Sequence, residues 1–453
     1  MHGGFACAKQ AKILISIYLP ATLLFTHENR PHVKVNSSPL FRRLGLYKIN
    51  LMQPSSNRQA YLDWLRIVSI ITVFFLHSSM AYVEEWGWHL KNKETSNLLM
   101  EVNFWLGRFR MPMLFFISGT VTYFMLKSRS TGSFIGLRFR RLFIPLVFGI
   151  LVIVPPQVYL ERLTQGFKGN FIDFYSTIFT TGTYPAGNFS WHHLWFIVYL
   201  FLYDILFAPL FKWMKSERGK ERLAFFNQLA NRKWVYLLMV PSIIAYTAMN
   251  LKFPETHDLI HDWSRHVYWI FFLVTGFTCI NFPSLMDSLE RNRRTSFLLA
   301  FSSIVVINYF RWNNPDTDIP LSGTWLMYAQ MSLFPLTAWC WIFTAIGYAK
   351  RYLNKKHPIQ NYINEAVYPF YILHQTIIVI VVFYVIRTGE PVLNKFLFTF
   401  ITSFVLVMCI YHLLIRPYAV TRFLFGMKPK KKKTKEVVPE KSNEIMQATV
   451  QIS

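Results

Sequence analysis

The sequence predicts an all-α fold: a polytopic membrane helical bundle of about ten transmembrane helices, with both termini cytoplasmic. Three observations lead there. Of 453 residues, 53% are hydrophobic and 18% aromatic, while only 16% are charged; a soluble domain ordinarily carries about 25%. Apolar runs of about twenty residues, the length that crosses a bilayer core, recur along most of the chain. The basic residues sit in alternate loops, as the positive-inside rule asks of one membrane face. That placement accounts for the net charge of +25 without nucleic acid as a partner.

Ten spans are expected at approximately 64–84, 103–126, 142–160, 193–212, 234–251, 267–283, 296–311, 325–349, 364–386 and 396–416. The loops after spans 2, 4, 6 and 8 carry Lys127, Arg129, Arg138, Arg140 and Arg141; Lys212, Lys215, Arg218, Lys220 and Arg222; Arg291, Arg293 and Arg294; and Lys350, Arg351, Lys355 and Lys356. The odd-numbered loops are poor in Lys and Arg, so the even-numbered ones are assigned to the cytoplasm. Residues 1–51 read as an N-terminal extension, either a signal peptide without a clear cleavage site or an over-long reading frame whose natural start is Met52. Residues 52–422 form the ten-span domain. Residues 423–453, with Lys428 and Lys430 to Lys433, read as a disordered polybasic cytoplasmic tail able to lie on anionic lipid. The longest external segment, 161–192, is rich in Gly, Thr and aromatic residues and is either an ordinary loop or a cover over an acceptor site. Cys7, Cys279, Cys340 and Cys409 have neither metal-ligand nor disulfide-framework spacing and are expected to be buried, inert thiols. No internal repeat is evident.

The chemistry concentrates in the first two spans. Arg66 and His77 are eleven residues apart, almost three helical turns, so they share one face roughly 16 Å apart along the axis. Ionisable groups within a span are costly and are functional candidates by default. Arg66 falls near the cytoplasmic surface and His77 about 20 Å across, in the outer half. Arg108 and Arg110, about 7–10 Å below the outer surface in the returning span, lie near the depth of His77. Their alternative role is to snorkel outward, and that of His77 is a hydrogen-bonded core residue. His374 falls about 15 Å into span 9 and either lines the same cavity or is structural. His192 and His193 stand at an aromatic interface. Glu84 or Glu85 is placed to orient His77, with solvation as the plainer role, and Asp63 is spaced to pair with Arg66. Arg138 and Arg141 form either a cytoplasmic charge cluster or a phosphate clamp, since guanidinium forks match phosphate oxygens.

Arg66-x10-His77 and Arg138-x-x-Arg141 resemble the paired motifs of the acyltransferase-3 family of membrane-bound acyltransferases. The stretches Arg110-Met-Pro-Met-Leu-Phe-Phe-Ile-Ser118-Gly119, His193-Leu-Trp-Phe-Ile and Tyr368-Pro-Phe-Tyr-Ile-Leu-His374 look like further parts of it, leaning towards the branch of glucan succinylation. The resemblance covers roughly 57–420. It implies an O-acyltransferase of the bacterial inner membrane that takes acetyl or succinyl from cytoplasmic acyl-coenzyme A, with no bound cofactor or metal, and places it on a hydroxyl of a cell-envelope carbohydrate. It implies His77 as the catalytic residue, as general base or acyl carrier, with Arg66 steadying the donor and Arg138 and Arg141 binding its phosphates. As an extension, Arg108 and Arg110 are candidates to neutralise a succinyl carboxylate or an oxyanion. The rival reading is a transporter or flippase of a small anion or lipid-linked sugar, which buried Arg and His would also serve.

Overall fold

The chain divides into a unit of residues 1–57 and a unit of residues 58–453. The computed structural model describes residues 59–253, 255–256, 258–313 and 325–430, all in the second unit. The expected N-terminal extension and the lysine run beyond residue 430 lie outside the described residues.

Among the described residues the elements are helical, apart from an isolated bridge between Thr183 and Phe189. The main helices are α1 (Ala60–Tyr82), α2 (Asn97–Met125), α3 (Thr131–Thr164), α4 (His192–Leu206), α5 (Ala208–Met214), α6 (Trp234–Asn250), α7 (Trp263–Asn281), α8 (Pro283–Arg291), α9 (Arg293–Asn313), α10 (Trp325–Tyr352), α11 (Pro358–Val385) and α12 (Val392–Ile415). Six of them, α1, α3, α9, α10, α11 and α12, are long and apolar enough to cross a membrane. The count rises to eight if the bent pairs α4–α5 (58°) and α7–α8 (102°) are each one span. The expected ten is thus not reached on length and apolarity: α2 is long but carries Glu101, Arg108 and Arg110, and α6 is short.

Local chemistry explains the breaks. Ser96 caps α2 by accepting the Leu99 N–H, and Ser130 caps α3 by accepting that of Ser133, satisfying otherwise orphaned donors. Pro145 and Pro155 cannot supply helix N–H donors, and the turns at Phe139–Phe143 and Gly149–Ile153 widen to π geometry within α3.

The core runs along α11, whose apolar window is 72% buried, whereas the windows of α9 and α12 are only 28% buried and lie at the outside of the bundle. Cys409 of α12 is accordingly exposed, against the expectation of burial, while Cys279 and Cys340 are buried. Two helix pairs run in the same direction. In α2 and α7, Phe115 packs on Trp269 (5.2 Å) and Tyr123 on Phe277 (5.5 Å). A Cβ on Gly119 would lie 1.9 Å from the Leu273 carbonyl oxygen, and one on Gly276 1.9 Å from that of Phe116. Lipid tails supply no hydrophobic drive between helices, so such close approach of small residues is what joins them. In α1 and α11, Gln360 donates to the Ala60 carbonyl (2.8 Å) near both N-termini, and the contacts continue in register towards the other end.

The folded chain continues past residue 422. Arg422 and Phe425 are buried, and Gly426 turns with φ +64°, where an added Cβ would lie 2.6 Å from the Arg141 carbonyl oxygen. Only glycine tolerates both conditions.

Candidate active site

The parallel register of α1 and α11 creates two polar levels. At the first, Arg66 Nη2 donates to the Asn364 carbonyl (3.0 Å) and to Asn364 Oδ1 (2.9 Å). At the second, eleven residues along α1 and ten along α11, His77 Nδ1 lies 2.9 Å from His374 Nε2, with the ring planes 3° apart. His374 is 1% exposed, while His77 is partly exposed.

Hydrogen-bond partners assign the tautomers of this neutral pair. His374 Nδ1 lies 2.6 Å from the Tyr371 carbonyl oxygen, which can only accept, so Nδ1 carries the proton. His374 Nε2 is then an acceptor and His77 Nδ1 the donor. That leaves the lone pair of His77 on Nε2. The arrangement is a backbone-anchored imidazole orienting a second imidazole, the logic by which one ring nitrogen fixes the chemistry of the other.

A third imidazole completes the group. His193 donates from Nε2 to the Ile372 carbonyl (3.0 Å), and its ring stands edge-on to His374 (5.1 Å) and His77 (6.5 Å). Its Nδ1 is buried without a hydrogen-bond partner among the described residues, as are Trp88 Nε1 and Arg110 Nε and Nη1. The Trp88 ring lies 5.3 Å from that of His77, and Arg110 interacts electrostatically with His77 and Tyr371. Buried polar atoms normally find partners, so these unfilled donors and acceptors near His77 are suited to a polar ligand.

Beyond it, His89 Nδ1 donates to Glu161 Oε2 (2.5 Å), and Tyr184 donates to Glu161 Oε1 (3.1 Å). Gln375 donates to His89 Nε2 (3.2 Å) and Gln157 Oε1 (3.0 Å), and Gln157 donates to Thr376 (2.6 Å). The segment 161–192 is therefore tied to the helices. Arg162 also stitches it internally through Asn188 and the carbonyls of Pro185 and Gly187. Sequence reasoning passed over Trp88, His89, Glu161 and Asp204; the last, a lone acid within the apolar run of α4, was detectable as an intramembrane charge.

The candidates named from sequence are thus distributed unevenly. Arg66, His77 and His374 line one helix seam, with Arg110 alongside. Arg108 turns away and lies over the rings of Phe104 (4.2 Å) and Phe334 (4.9 Å). Glu85 pairs with Arg311 (3.1 Å) rather than orienting His77, a task that falls to His374. Arg138 is 5% exposed: its Nε lies 2.8 Å from Asp204 Oδ2, and its Nη2 donates to Thr122 (2.7 Å), which donates to Asp204 Oδ1 (2.9 Å). Its Nε thus faces the protein's own carboxylate and its Nη2 a threonine hydroxyl. Arg141, partly exposed, stands beneath the Gly426 turn. Among the described residues no three His, Cys, Asp or Glu side chains are grouped to hold a metal ion.

A family model described as an acyltransferase domain matches residues 59–413. Curated relatives include the glucans biosynthesis protein C of Salmonella heidelberg (strain SL476) and of Salmonella schwarzengrund (strain CVM19633), 22% and 23% identical over 390 residues, covering 82% of this chain and 95% of theirs. The glucans biosynthesis protein C of Escherichia coli O1:K1 / APEC is 20% identical over 412 residues, covering 85% and 98%. No solved structure matches the chain.

Proposed function

The chain belongs to the acyltransferase family whose model spans residues 59–413, and on that premise we propose that it moves an acetyl or succinyl group across the membrane. The donor is acyl-coenzyme A on the cytoplasmic side. The acceptor is a hydroxyl of a cell-envelope carbohydrate, the class suggested by the name of the glucans biosynthesis relatives. The reading includes ten crossings, cytoplasmic termini and a bacterial inner membrane.

The observation that carries it is the His77–His374 hydrogen bond of 2.9 Å, which leaves His77 Nε2 as a base at the far level of the α1–α11 seam. There Nε2 takes the acceptor's proton as the hydroxyl oxygen attacks the thioester carbonyl. The tetrahedral intermediate collapses by breaking the carbon–sulfur bond, and the departing thiolate recovers the proton from the His77 imidazolium. The same nitrogen would hold the acyl group if transfer runs through an acyl-imidazole. Trp88 Nε1 and the Arg110 guanidinium supply unfilled donors for the oxyanion or for a succinyl carboxylate; Arg108, lying over aromatic rings, is the weaker candidate. His374 is a positioning residue. Arg66, braced by Asn364, steadies the pantetheine arm at the inner level. Arg141 faces the donor phosphates, while Arg138, locked to Asp204, holds that segment in place.

The test uses the purified chain in lipid nanodiscs with acetyl- or succinyl-coenzyme A and a glucan acceptor, following coenzyme A release and acyl-glucan mass. His77→Ala is expected to lower the rate by about 10²–10⁴-fold. Donor-independent flux of a small anion or lipid-linked sugar that survives His77→Ala would replace this reading with a transporter or flippase.

A further inference from the structure

Two basic cavities open at the end of the bundle that carries Arg138 and Arg141. One, of about 620 Å³, is lined by Glu365, His412, Arg416, Arg422, Lys428 and Lys430 among others. Its arginines already have a counter-charge: Arg422 lies 2.7 Å and Arg416 3.4 Å from the Glu365 carboxylate. The other, of about 760 Å³, differs in kind. Lys127, Lys212, Lys215, Arg218 and Arg222 line it around Trp213, and no carboxylate does. Among the described residues none of these five cations forms an ion pair, and the adjacent Glu217 is held by Lys220 (2.9 Å).

The fold gathers these charges against their mutual repulsion. Ser216 caps the helix Glu217–Arg222 by accepting the Gly219 N–H (3.1 Å). A Cβ on Gly219 would lie 2.0 Å from the Trp213 carbonyl oxygen, so the chain doubles back tightly and brings Arg218 and Arg222 to the same cavity as Lys212. Lys215 reaches the Tyr123 carbonyl (3.2 Å), with its ammonium 4.1 Å from the Tyr123 ring centroid. Burial, then the like charges of Lys212, Lys127 and Lys220, lower the Lys215 pKa to about 8. A positive-inside bias accounts for basic loops, but not for five unneutralised cations converging on one concavity beside an exposed indole. That composition fits a ligand with several phosphate charges and a flat ring able to stack.

We infer that this cavity binds the nucleotide end of the donor, its 3′-phosphomonoester held by the five cations and its adenine laid on Trp213, which leaves the pyrophosphate to Arg141. The inference rests on the acyl-coenzyme A reading above. Anionic phospholipid headgroups share the phosphate chemistry, so the experiment separates the two sources.

The full chain is reconstituted in phosphatidylcholine nanodiscs, with and without phosphatidylglycerol. Binding of coenzyme A and of 3′-dephospho-coenzyme A is measured alongside transfer from acyl-coenzyme A and from acyl-pantetheine, which lacks the nucleotide. Arg218→Gln/Arg222→Gln, at two exposed side chains, is expected to weaken coenzyme A binding and raise its KM roughly tenfold, with kcat held within about twofold. Transfer from acyl-pantetheine stays unchanged, and the preference for coenzyme A over its dephospho form disappears. Trp213→Leu raises the same KM about threefold or more. Unchanged coenzyme A binding in both variants overturns the inference, as does an effect confined to phosphatidylglycerol retention. If the unaltered protein transfers no acyl group from any donor, the functional reading fails, while the coenzyme A binding comparison still decides the cavity.

Discussion

Replacing His374 by Phe isolates what the second imidazole does. Phe fits the site, since the His374 ring already packs between those of Phe74 (6.4 Å) and Phe370 (6.2 Å), but it removes the acceptor that holds the proton on His77 Nδ1. A buried neutral hydrogen bond of this kind is worth about 0.5–1.5 kcal/mol, which is roughly a 2- to 12-fold rate factor. The ring is also released from its orientation, and losing the partner that aims an active imidazole brings the total to about 10–100-fold. The expected result is therefore a kcat fall of that size with KM nearly unchanged. His374→Gln, whose side-chain oxygen still accepts from His77, recovers most of it. Initial rates of coenzyme A release at saturating donor give kcat, and thermal unfolding in detergent shows that both variants are folded. Adding His374→Phe to His77→Ala should cost nothing further, because a positioning residue has no effect once its target is gone. A folded His374→Phe protein with kcat within about twofold of the unaltered enzyme would refute the tautomer reasoning.

Three further outcomes follow from the contacts. Gly276→Val forces α2 and α7 apart at a 1.9 Å approach and should cost about 1–3 kcal/mol, read as a lowered unfolding midpoint; an unchanged midpoint would mean the helices do not touch there. Arg138→Met strands the fully buried Asp204 and should destabilise by about 3–5 kcal/mol, while Arg138→Met/Asp204→Leu recovers most of that loss. A stable double variant with a strongly raised donor KM would return Arg138 to the phosphate clamp. Arg110→Ala should cut succinyl transfer at least about tenfold more than acetyl transfer if it neutralises the succinyl carboxylate; equal losses would assign it to the oxyanion.

The sequence reached as far as local geometry reaches. Apolar run length and loop charge revealed a helical membrane protein, because each span is a property of its own twenty or so residues. The shared face of Arg66 and His77 follows from helical pitch alone. Pitch also separates Arg108 from Arg110: two residues apart, they point about 200° from each other, so one neighbour could meet only one of them. Bent and polar elements were less legible. The breaks between α4 and α5 and between α7 and α8 fall at Pro209 and Pro283, each in the first turn of the second helix, but the bends of 58° and 102° appear only in the fold.

What only the tertiary structure decided are the pairings between distant segments. His374 could be placed at a membrane depth, but its bond to His77 bridges 297 positions and requires the parallel register of α1 with α11. Arg138 could be named from its loop as a phosphate ligand, but its ion pair with Asp204 of α4 appears only in the fold. His193, Trp88 and Arg110 acquire meaning because two separate helices and a loop bring their unfilled polar atoms towards the His77–His374 pair. The sequence determined which helix carries His77 and which face it shares with Arg66, since both are set within a few turns of backbone. The structure decided which of its nitrogens keeps a free lone pair, since a proton's position on a neutral imidazole is dictated by the partner across the helix seam.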